Sequence, residues 1–496
     1  MSARARPRLA RRAIGAVAAC ALLGCFTDHG GASSTGTDAT DETEAATMTT
    51  APDPTTGTTA PTTSSTTSGE ETTVDPCPPG ELGCPCGDGP CVEGSVCIDD
   101  VCDHGCGDGA LARPEELCDD ANAIEGDGCN NDCQPSGALR WVKSLGDDVT
   151  SIRAIDVAVS GGGVIYVTGV SDDGGVEGSN IWVAALSADG ELSWARHFDH
   201  QGGDDAGTAI TVASSGAVVV TGVARDVGDM QVAWVHRLDP QGNPLWDQPA
   251  IYDGGPLDDS AHDVAIGLDG TIHVVGGRGV LEGLDLWYGT FATADGVNSF
   301  NHVVAREGDD EAFAVAVYEE VVVLCGRVGE VGVTLPYVRT IFDGAQASEW
   351  LGSPDDGDTI LHDCVVDGGG VLHLAITQKP DVTLYARFQL DATGGLTPIT
   401  PGSSLGPITY GLAVDDVNGH VITTGYVISG GDDIFVRRAP IEQYNVEVWL
   451  ATYAGMFGGV DRGAAVALTP ERDVVAVGSV TIGDAVSQAW IGRYSP

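Results

Sequence analysis

Two histidine–aspartate pairs are the side chains most suited to chemistry. His262-Asp263 and His362-Asp363 lie at one position in two units of an internal repeat. Two histidines with nearby carboxylates could bind a metal ion in a central channel. Alternatively, each histidine is buried between units and bonded to its aspartate. The remaining units place apolar or aromatic residues at this position, namely Ile155, Ile210, Phe313, Tyr410 and Ala464.

Acidic turns form a second candidate site. They recur before most units, at Gly146-Asp147-Asp148, Gly203-Asp204-Asp205, Asp258-Asp259, Gly308-Asp309-Asp310 and Gly357-Asp358. Clustered carboxylates could bind Ca²⁺, and the ligand candidates are Asp204, Asp205, Asp309 and Asp310. The alternative is that each aspartate accepts backbone N–H bonds and fixes its turn. Recurrence in nearly every unit favours this alternative.

A third acidic cluster lies in a glycine-rich segment nearer the N-terminus. It contains Asp119, Asp120, Asn122 and Asp127. Hard oxygen ligands in such a loop suit Ca²⁺. The alternative is that these residues form Asx-turns and face water, and we favour this interpretation. No other cofactor is indicated.

Catalytic motifs are not apparent. Gly402-Ser403-Ser404-Leu405-Gly406 has the spelling of a nucleophile elbow, but it lies between two predicted strands, whereas the elbow joins a strand to a helix. The chain has no phosphate loop, HExxH motif or dinucleotide fingerprint. The sequence therefore predicts no catalytic residue.

The elements that must position these residues are strands. From residue 137 onward, each unit of about 50 residues has four short apolar runs separated by Gly and Asp. The second run recurs around Gly169, Gly222, Gly276, Gly326, Ile376, Gly425 and Gly478. The third recurs at Trp182, Trp234, Trp287, Tyr337, Leu384, Phe435 and Trp490. Seven units of four strands predict an all-β, seven-bladed β-propeller over residues 137–496.

The two ends of this region predict how the ring closes. The last unit ends after its third run, at Tyr494-Ser495-Pro496. A matching fourth run, Gly137-Ala-Leu-Arg-Trp141, precedes the first unit. We expect this N-terminal strand to complete the last blade, which protects both sheet edges.

Charge excludes one class of partner. The chain has 23 Lys and Arg against 72 Asp and Glu, for a net charge of −49. Nucleic-acid binding depends on Lys and Arg to displace counterions, so a nucleic-acid partner is excluded. Anionic lipid headgroups are disfavoured for the same reason.

Residues 1–24 read as an export signal. Five arginines precede an apolar stretch, Ala13 to Leu23, that is too short to span a bilayer. The stretch ends in Leu22-Leu23-Gly24-Cys25, which resembles the bacterial lipobox. That resemblance implies cleavage before Cys25, a lipid on its sulfur and, since Phe26 follows rather than Asp, the outer membrane. Residues 25–76 are rich in Thr and Ser and predict a disordered tether.

Ten of the 14 cysteines lie between residues 77 and 133. In an exported chain such a dense, even set predicts disulfides rather than zinc ligands. One block spans residues 77–102 and contains Cys77, Cys84, Cys86, Cys91, Cys97 and Cys102. It has almost no apolar residues, so covalent bonds must hold it together. Cys325 and Cys364, on strands of neighbouring units, are either buried thiols or a disulfide.

The second block, residues 103–136, contains Cys106-Gly-Asp-Gly109, Cys118-Asp-Asp120, Gly126-Asp-Gly-Cys129 and Cys133. It is similar to the Myxococcus-type cysteine-rich repeat, apart from Ala121 where that pattern has Gly. The resemblance implies two disulfides among Cys106, Cys118, Cys129 and Cys133.

The propeller units resemble the bacterial SBBP-type repeat in their acidic turns and in endings such as Val167-Thr168-Gly169. Unit six departs from this pattern, with Ser403-Ser404-Leu405 in place of the acidic turn, and unit five lacks the Thr-Gly ending. The resemblance implies the propeller fold and an extracytoplasmic setting, and no reaction.

These observations predict a lipid-anchored surface or outer-membrane protein with a non-enzymatic binding propeller. We expect its partner to be an envelope protein or a polysaccharide. One alternative is a propeller enzyme, since runs such as Ala185 to Trp194 resemble the tryptophan-docking strands of quinoproteins. Another is a scaffold lipoprotein of envelope assembly.

Overall fold

The computed structural model describes residues 95–98, 101–104, 117–122, 124, 126–147, 149–175, 178–281, 283–306, 308–330, 332–353, 357–378, 382–428, 432–455, 459–483 and 486–496, with the backbone alone at 95–98, 101–104 and 400–406. The signal, Cys25, the tether, Cys77, Cys84, Cys86, Cys91 and Cys106 lie outside these residues. One compact unit is Gly24–His104, and the other includes Gly105–Pro496.

Within the first unit, β1 (Ser95–Ile98) and β2 (Val101–His104) form an antiparallel hairpin. Cys97 and Cys102 are directly opposite each other in this hairpin.

Seven four-stranded antiparallel sheets form the second unit, as predicted. Short apolar strands are separated by turns that contain Gly and Asp, a pattern typical of consecutive antiparallel hairpins. Blades I and II contain β4 (Ser151–Val159), β5 (Ile165–Asp172), β6 (Asn180–Leu186), β7 (Leu192–Phe198), β8 (Ala206–Val212), β9 (Val218–Arg225), β10 (Gln231–Leu238) and β11 (Ala250–Tyr252). Blades III and IV contain β12 (Ser260–Ile266), β13 (Ile272–Val280), β14 (Gly283–Phe291), β15 (Asn298–Val304), β16 (Glu311–Tyr318), β17 (Val321–Glu330), β18 (Val333–Phe342) and β19 (Ala345–Leu351).

Blades V and VI contain β20 (Thr359–Val366), β21 (Val371–Gln378), β22 (Val382–Leu390), β23 (Leu396–Gly406), β24 (Ile408–Asp415), β25 (His420–Ile428), β26 (Asp432–Pro440) and β27 (Trp449–Tyr453), with a short 3-10 helix at Ile441–Gln443. Blade VII contains β28 (Arg462–Leu468), β29 (Val474–Thr481), β30 (Ser487–Tyr494) and β3 (Leu139–Leu145). The pairing of β3 with β30 confirms the predicted closure by an N-terminal strand.

Apolar packing joins each blade to the next. The seven main clusters of buried residues each combine side chains from two neighbouring blades, including blades VII and I. Because every blade buries both faces, the hydrophobic effect favours a closed ring. A disulfide between Cys325 and Cys364 adds a covalent link between blades IV and V, which resolves the choice that the sequence left open.

The first strand of every blade carries a β-bulge against the second strand. The bulged residues are Ile155, Thr208, His262, Phe313, His362, Tyr410 and Ala464. The sequence alignment was therefore wrong in blade II, where Thr208 rather than Ile210 occupies this position. In six blades the opposing strand has a glycine here, and a Cβ on Gly276, for example, would lie 1.9 Å from the Ser260 carbonyl oxygen. Blade V has Ile376 at this position.

The cysteine-rich segment continues directly into the ring. Cys118 and Cys129 form a disulfide, and Cys133 is also disulfide-bonded. The segment packs against blade VI, since Gly126, with a φ of +81°, leaves room for the Arg438 guanidinium that a Cβ would displace. No helix among the described residues is long and apolar enough to cross a membrane.

Candidate functional site

Three half-buried aspartates, here called the axial aspartates, surround the axis of the ring. Each follows the bulged residue in an odd-numbered blade, and they are Asp156, Asp263 and Asp363. One oxygen of each carboxylate accepts an N–H from the first strand of the next blade. The donors are Ile210, Val315 and Leu412, at 2.8, 2.7 and 2.8 Å. The aspartates therefore link blades I–II, III–IV and V–VI at their inner edges.

Burial strongly disfavours the charged form of these carboxylates. It raises the pKa of Asp156 to about 6 and that of Asp363 to about 7. The pKa of Asp263 is also raised well above its ordinary value, first by burial and then by the charges of Asp156 and Asp363. Backbone N–H bonds act in the opposite direction but do not outweigh burial.

His262 is not bonded to Asp263. Its Nε2 lies 2.7 Å from Ser260 Oγ and 3.2 Å from Glu311 Oε1, although the second contact lacks hydrogen-bond alignment. Glu311 also pairs with Arg327 at 2.8 Å. This polar cluster lies between blades III and IV, and its His262 ring packs 5.4 Å from the ring of Phe313.

The Ser260–His262–Glu311 geometry differs from that of a catalytic triad. In a triad the serine bonds one ring nitrogen and the acid bonds the other. Here both partners approach Nε2, while His262 Nδ1 is buried and has no partner among the described residues. Burial lowers the pKa of His262 to about 3 and raises that of Glu311 to about 7.

His362 has different surroundings from His262. It is half-buried, and its ring meets Tyr410 edge-on at 5.2 Å. Burial lowers its pKa to about 4. Across the described residues, no group of three or more His, Cys, Asp or Glu is arranged to hold a metal ion.

The acidic turns are used by the backbone. Asp204 and Asp309 accept N–H bonds from Ser179 and Leu284, at the third strand of the preceding blade. The second aspartate of each pair is buried and bonds its own blade. Asp205 accepts from His200 and Arg225, at 2.5 and 2.9 Å, and Asp310 accepts from Arg306 and Gly329, at 2.6 and 3.1 Å. These are the bonds of the turn-fixing alternative, and Ca²⁺ at these residues stays a prediction.

The cysteine-rich loop brings together three of its four candidate ligands. Asn122 Nδ2 donates to Asp127 Oδ2 at 3.2 Å, and burial, together with the neighbouring Asp120 carboxylate, raises the pKa of Asp127. Asp119 instead accepts the Ala121 N–H at 2.8 Å and fixes its turn. Calcium binding by this loop stays a prediction.

Sequence reasoning missed Asp156, Ser260, Glu311 and Arg327. A signal for Asp156 was present, because Asp follows the bulge position in units one, three and five only. Ser260, Glu311 and Arg327 come from two blades and become neighbours only when the blades pack.

One face of the ring carries exposed aliphatic side chains on its loops. This loop face is formed by the turns between second and third strands and by the connections between blades. Leu281, Val227 and Ile428 are 94%, 88% and 69% exposed there. The acidic turns lie on the same face, so apolar tips stand among carboxylates.

One segment of the chain matches a described protein family. Residues 90–134 match the family described as "Domain of unknown function (DUF4215)", which covers most of the predicted cysteine-rich repeat. A search of curated proteins finds no match.

Solved structures with similar architecture include the Pan2 WD40 domain of Neurospora crassa, at 10% identity and a TM-score of 0.44, covering 68% of this chain and 88% of that one. The acylaminoacyl peptidase of Pyrococcus horikoshii matches at 7% identity and 0.42, covering 69% of this chain and about half, 52%, of the peptidase. The propeller domain of the trilobed protease of Pyrococcus furiosus matches at 10% and 0.41, covering 69% and 93%. Such similarity concerns the fold alone.

Proposed function

We propose that this chain is a lipid-anchored surface or outer-membrane protein whose propeller binds a protein partner without catalysing a reaction. The observation that carries the proposal is the loop face, where aliphatic side chains are exposed beside repeated acidic turns. Rigid scaffolds commonly present binding residues on such loops.

The polar groups elsewhere support a binding role over a catalytic one. The axial aspartates and the second aspartates of the acidic turns use their oxygens for backbone N–H groups. The buried Ser260–His262 pair lacks an acid on the second ring nitrogen. These groups therefore act in the scaffold.

The chemistry of the loop face supports one kind of partner over others. Apolar side chains favour burial on contact, at about 25 cal/mol per Å². The aspartates beside them, such as Asp204 and Asp309, attract and orient a basic surface. We therefore expect an envelope protein with basic and apolar residues on its contact surface.

The loop face is tested by capture from a solubilised envelope fraction, followed by a binding measurement with the purified captured protein. The variant Val227→Ser/Leu281→Ser/Ile428→Ser should weaken binding at least tenfold. The matched control, Leu268→Ser/Val417→Ser, changes exposed residues on the opposite face and should bind normally. Equal binding by the two variants would refute this assignment.

The anchor is tested separately. Cys25→Ser should prevent incorporation of labelled fatty acid and move the protein from the membrane fraction to the soluble fraction. Unchanged labelling and fractionation would show that Cys25 is not the anchor, whatever the loop face binds.

A further inference from the structure

A cavity of about 500 Å³ opens where the ring closes, on the face opposite the loop face. Four parts of the fold line it. They are the cysteine-rich segment with Asp132, β3 with Arg140 and Trp141, a turn of blade I with Ala188 and Asp189, and blade VII with Glu471, Asp473 and Arg493. We call it the seam cavity. Its size is that of a small-molecule site.

Some of the hydrogen bonds beside the seam cavity also occur at another blade junction. The Ala188 carbonyl accepts N–H bonds from Arg493 Nη1 at 2.7 Å and from Trp141 Nε1 at 2.9 Å. At the junction of blades II and III, the Thr293 carbonyl accepts the same two kinds of bond, from Arg237 at 2.9 Å and Trp246 at 3.0 Å. This shared arrangement is structural.

The seam adds charged groups to that arrangement. Asp473, with a side chain only 4% exposed, accepts from Arg493 Nε at 2.6 Å and lies 3.4 Å from Arg140 Nε. Arg140 also donates to Asp132 at 2.6 Å. In blade II, Ala217 precedes the second strand and Leu245 precedes Trp246. The equivalent positions of blade VII hold Asp473 and Arg140. The charged pair of Arg140 and Asp473 is therefore not needed to make a blade junction.

The lining excludes several ligand classes. Carboxylates outnumber guanidinium groups by four to two, which disfavours an anion. Two arginines disfavour a simple cation, and the charged walls disfavour an apolar ligand. A ligand with many hydroxyl groups suits these walls, because each hydroxyl can donate to a carboxylate and accept from a guanidinium.

We infer that the seam cavity binds a neutral saccharide. Its hydroxyl groups bond to Glu471 and Asp189, both exposed at the rim, and to the guanidinium groups of Arg140 and Arg493. The half-buried Trp141 ring offers its remaining surface to the C–H groups of the sugar. This inference is independent of the loop face and of its partner.

The test applies the full chain in detergent to an array of neutral oligosaccharides of glucose, galactose, mannose and N-acetylglucosamine, followed by calorimetry with the strongest binder. Asp189→Asn/Glu471→Gln should weaken binding at least about tenfold, the effect of losing one charge-assisted hydrogen bond. Glu319→Gln, an exposed turn residue of blade IV, should bind as the wild type does.

A second variant separates binding from folding. Arg140→Leu/Asp473→Ala gives the seam the residues of blade II and should keep the wild-type melting temperature while losing saccharide binding. The inference is overturned if no neutral saccharide binds at millimolar concentration, if only acidic saccharides or free amino acids bind, or if binding is unchanged in the two double variants.

Discussion

The junctions of blades VII–I and II–III use the same contact and differ in what surrounds it. Neither has an axial aspartate, and in both an arginine and a tryptophan share one turn carbonyl. At II–III the tryptophan, Trp246, is 3% exposed and has apolar neighbours. At VII–I the tryptophan is half-buried beside Arg140 and Asp473. The comparison shows that two blades can form this contact without the charged groups found at the seam.

The largest expected effect comes from removing the two tryptophans in turn. Trp246→Ala should lower the free energy of unfolding by about 4 kcal/mol, because a buried ring leaves a cavity. Trp141→Ala should cost about 2 kcal/mol, since its site is already partly open to water. Urea denaturation of both variants measures the difference. An equal loss would show that the two junctions are packed alike.

The next effect concerns the charged pair. Asp473→Ala leaves Arg493 and Arg140 without their shared carboxylate and should cost about 3 kcal/mol. Adding Arg140→Leu should recover most of that loss, because the seam then has the chemistry of the II–III junction. The urea midpoints of the single and double variants measure this coupling. If the two losses simply add, the charged pair stabilises the ring and the seam is not a modified ordinary junction.

The comparison also shows what the sequence can predict. Runs of β-formers with Gly opposite an aromatic residue, such as Gly276 opposite Trp287, repeat often enough to reveal the blades. The matching run at Trp141 reveals the closure. His262 and His362 were correctly assigned to one equivalent position of the first strand. Thr208 was missed because Ile210 fits the apolar pattern better.

The seam cavity could not be predicted, for a physical reason. Asp132, Trp141, Asp189 and Arg493 are separated by up to 361 positions in the chain and meet only because the ring closes. Each has an ordinary local role, in a turn or a strand. By contrast, Asp156 occupies the position in its unit that Asp263 and Asp363 occupy in theirs, so the repeat could have added Asp156 to those two candidates.

The axial aspartates provide a third kind of junction, with the smallest expected effect. The pKa of Asp363 is raised to about 7, chiefly by burial, above its ordinary value of 3.8. Its contribution to stability is therefore full below about pH 4 and is lost as the pH rises through about 7. Asp363→Asn removes this dependence and one acceptor of backbone N–H bonds, so the variant should be less stable at pH 5. The gap from wild type should then narrow by on the order of 1 kcal/mol by pH 8.

The control for this effect is Asp391→Asn. The pKa of Asp391 is lowered by backbone N–H bonds from its turn, so its contribution is already complete above about pH 4. Its gap from wild type should stay constant between pH 5 and 8, as measured by melting temperature. A gap for Asp363→Asn that widens with rising pH would mean that the carboxylate is stabilised in its charged form.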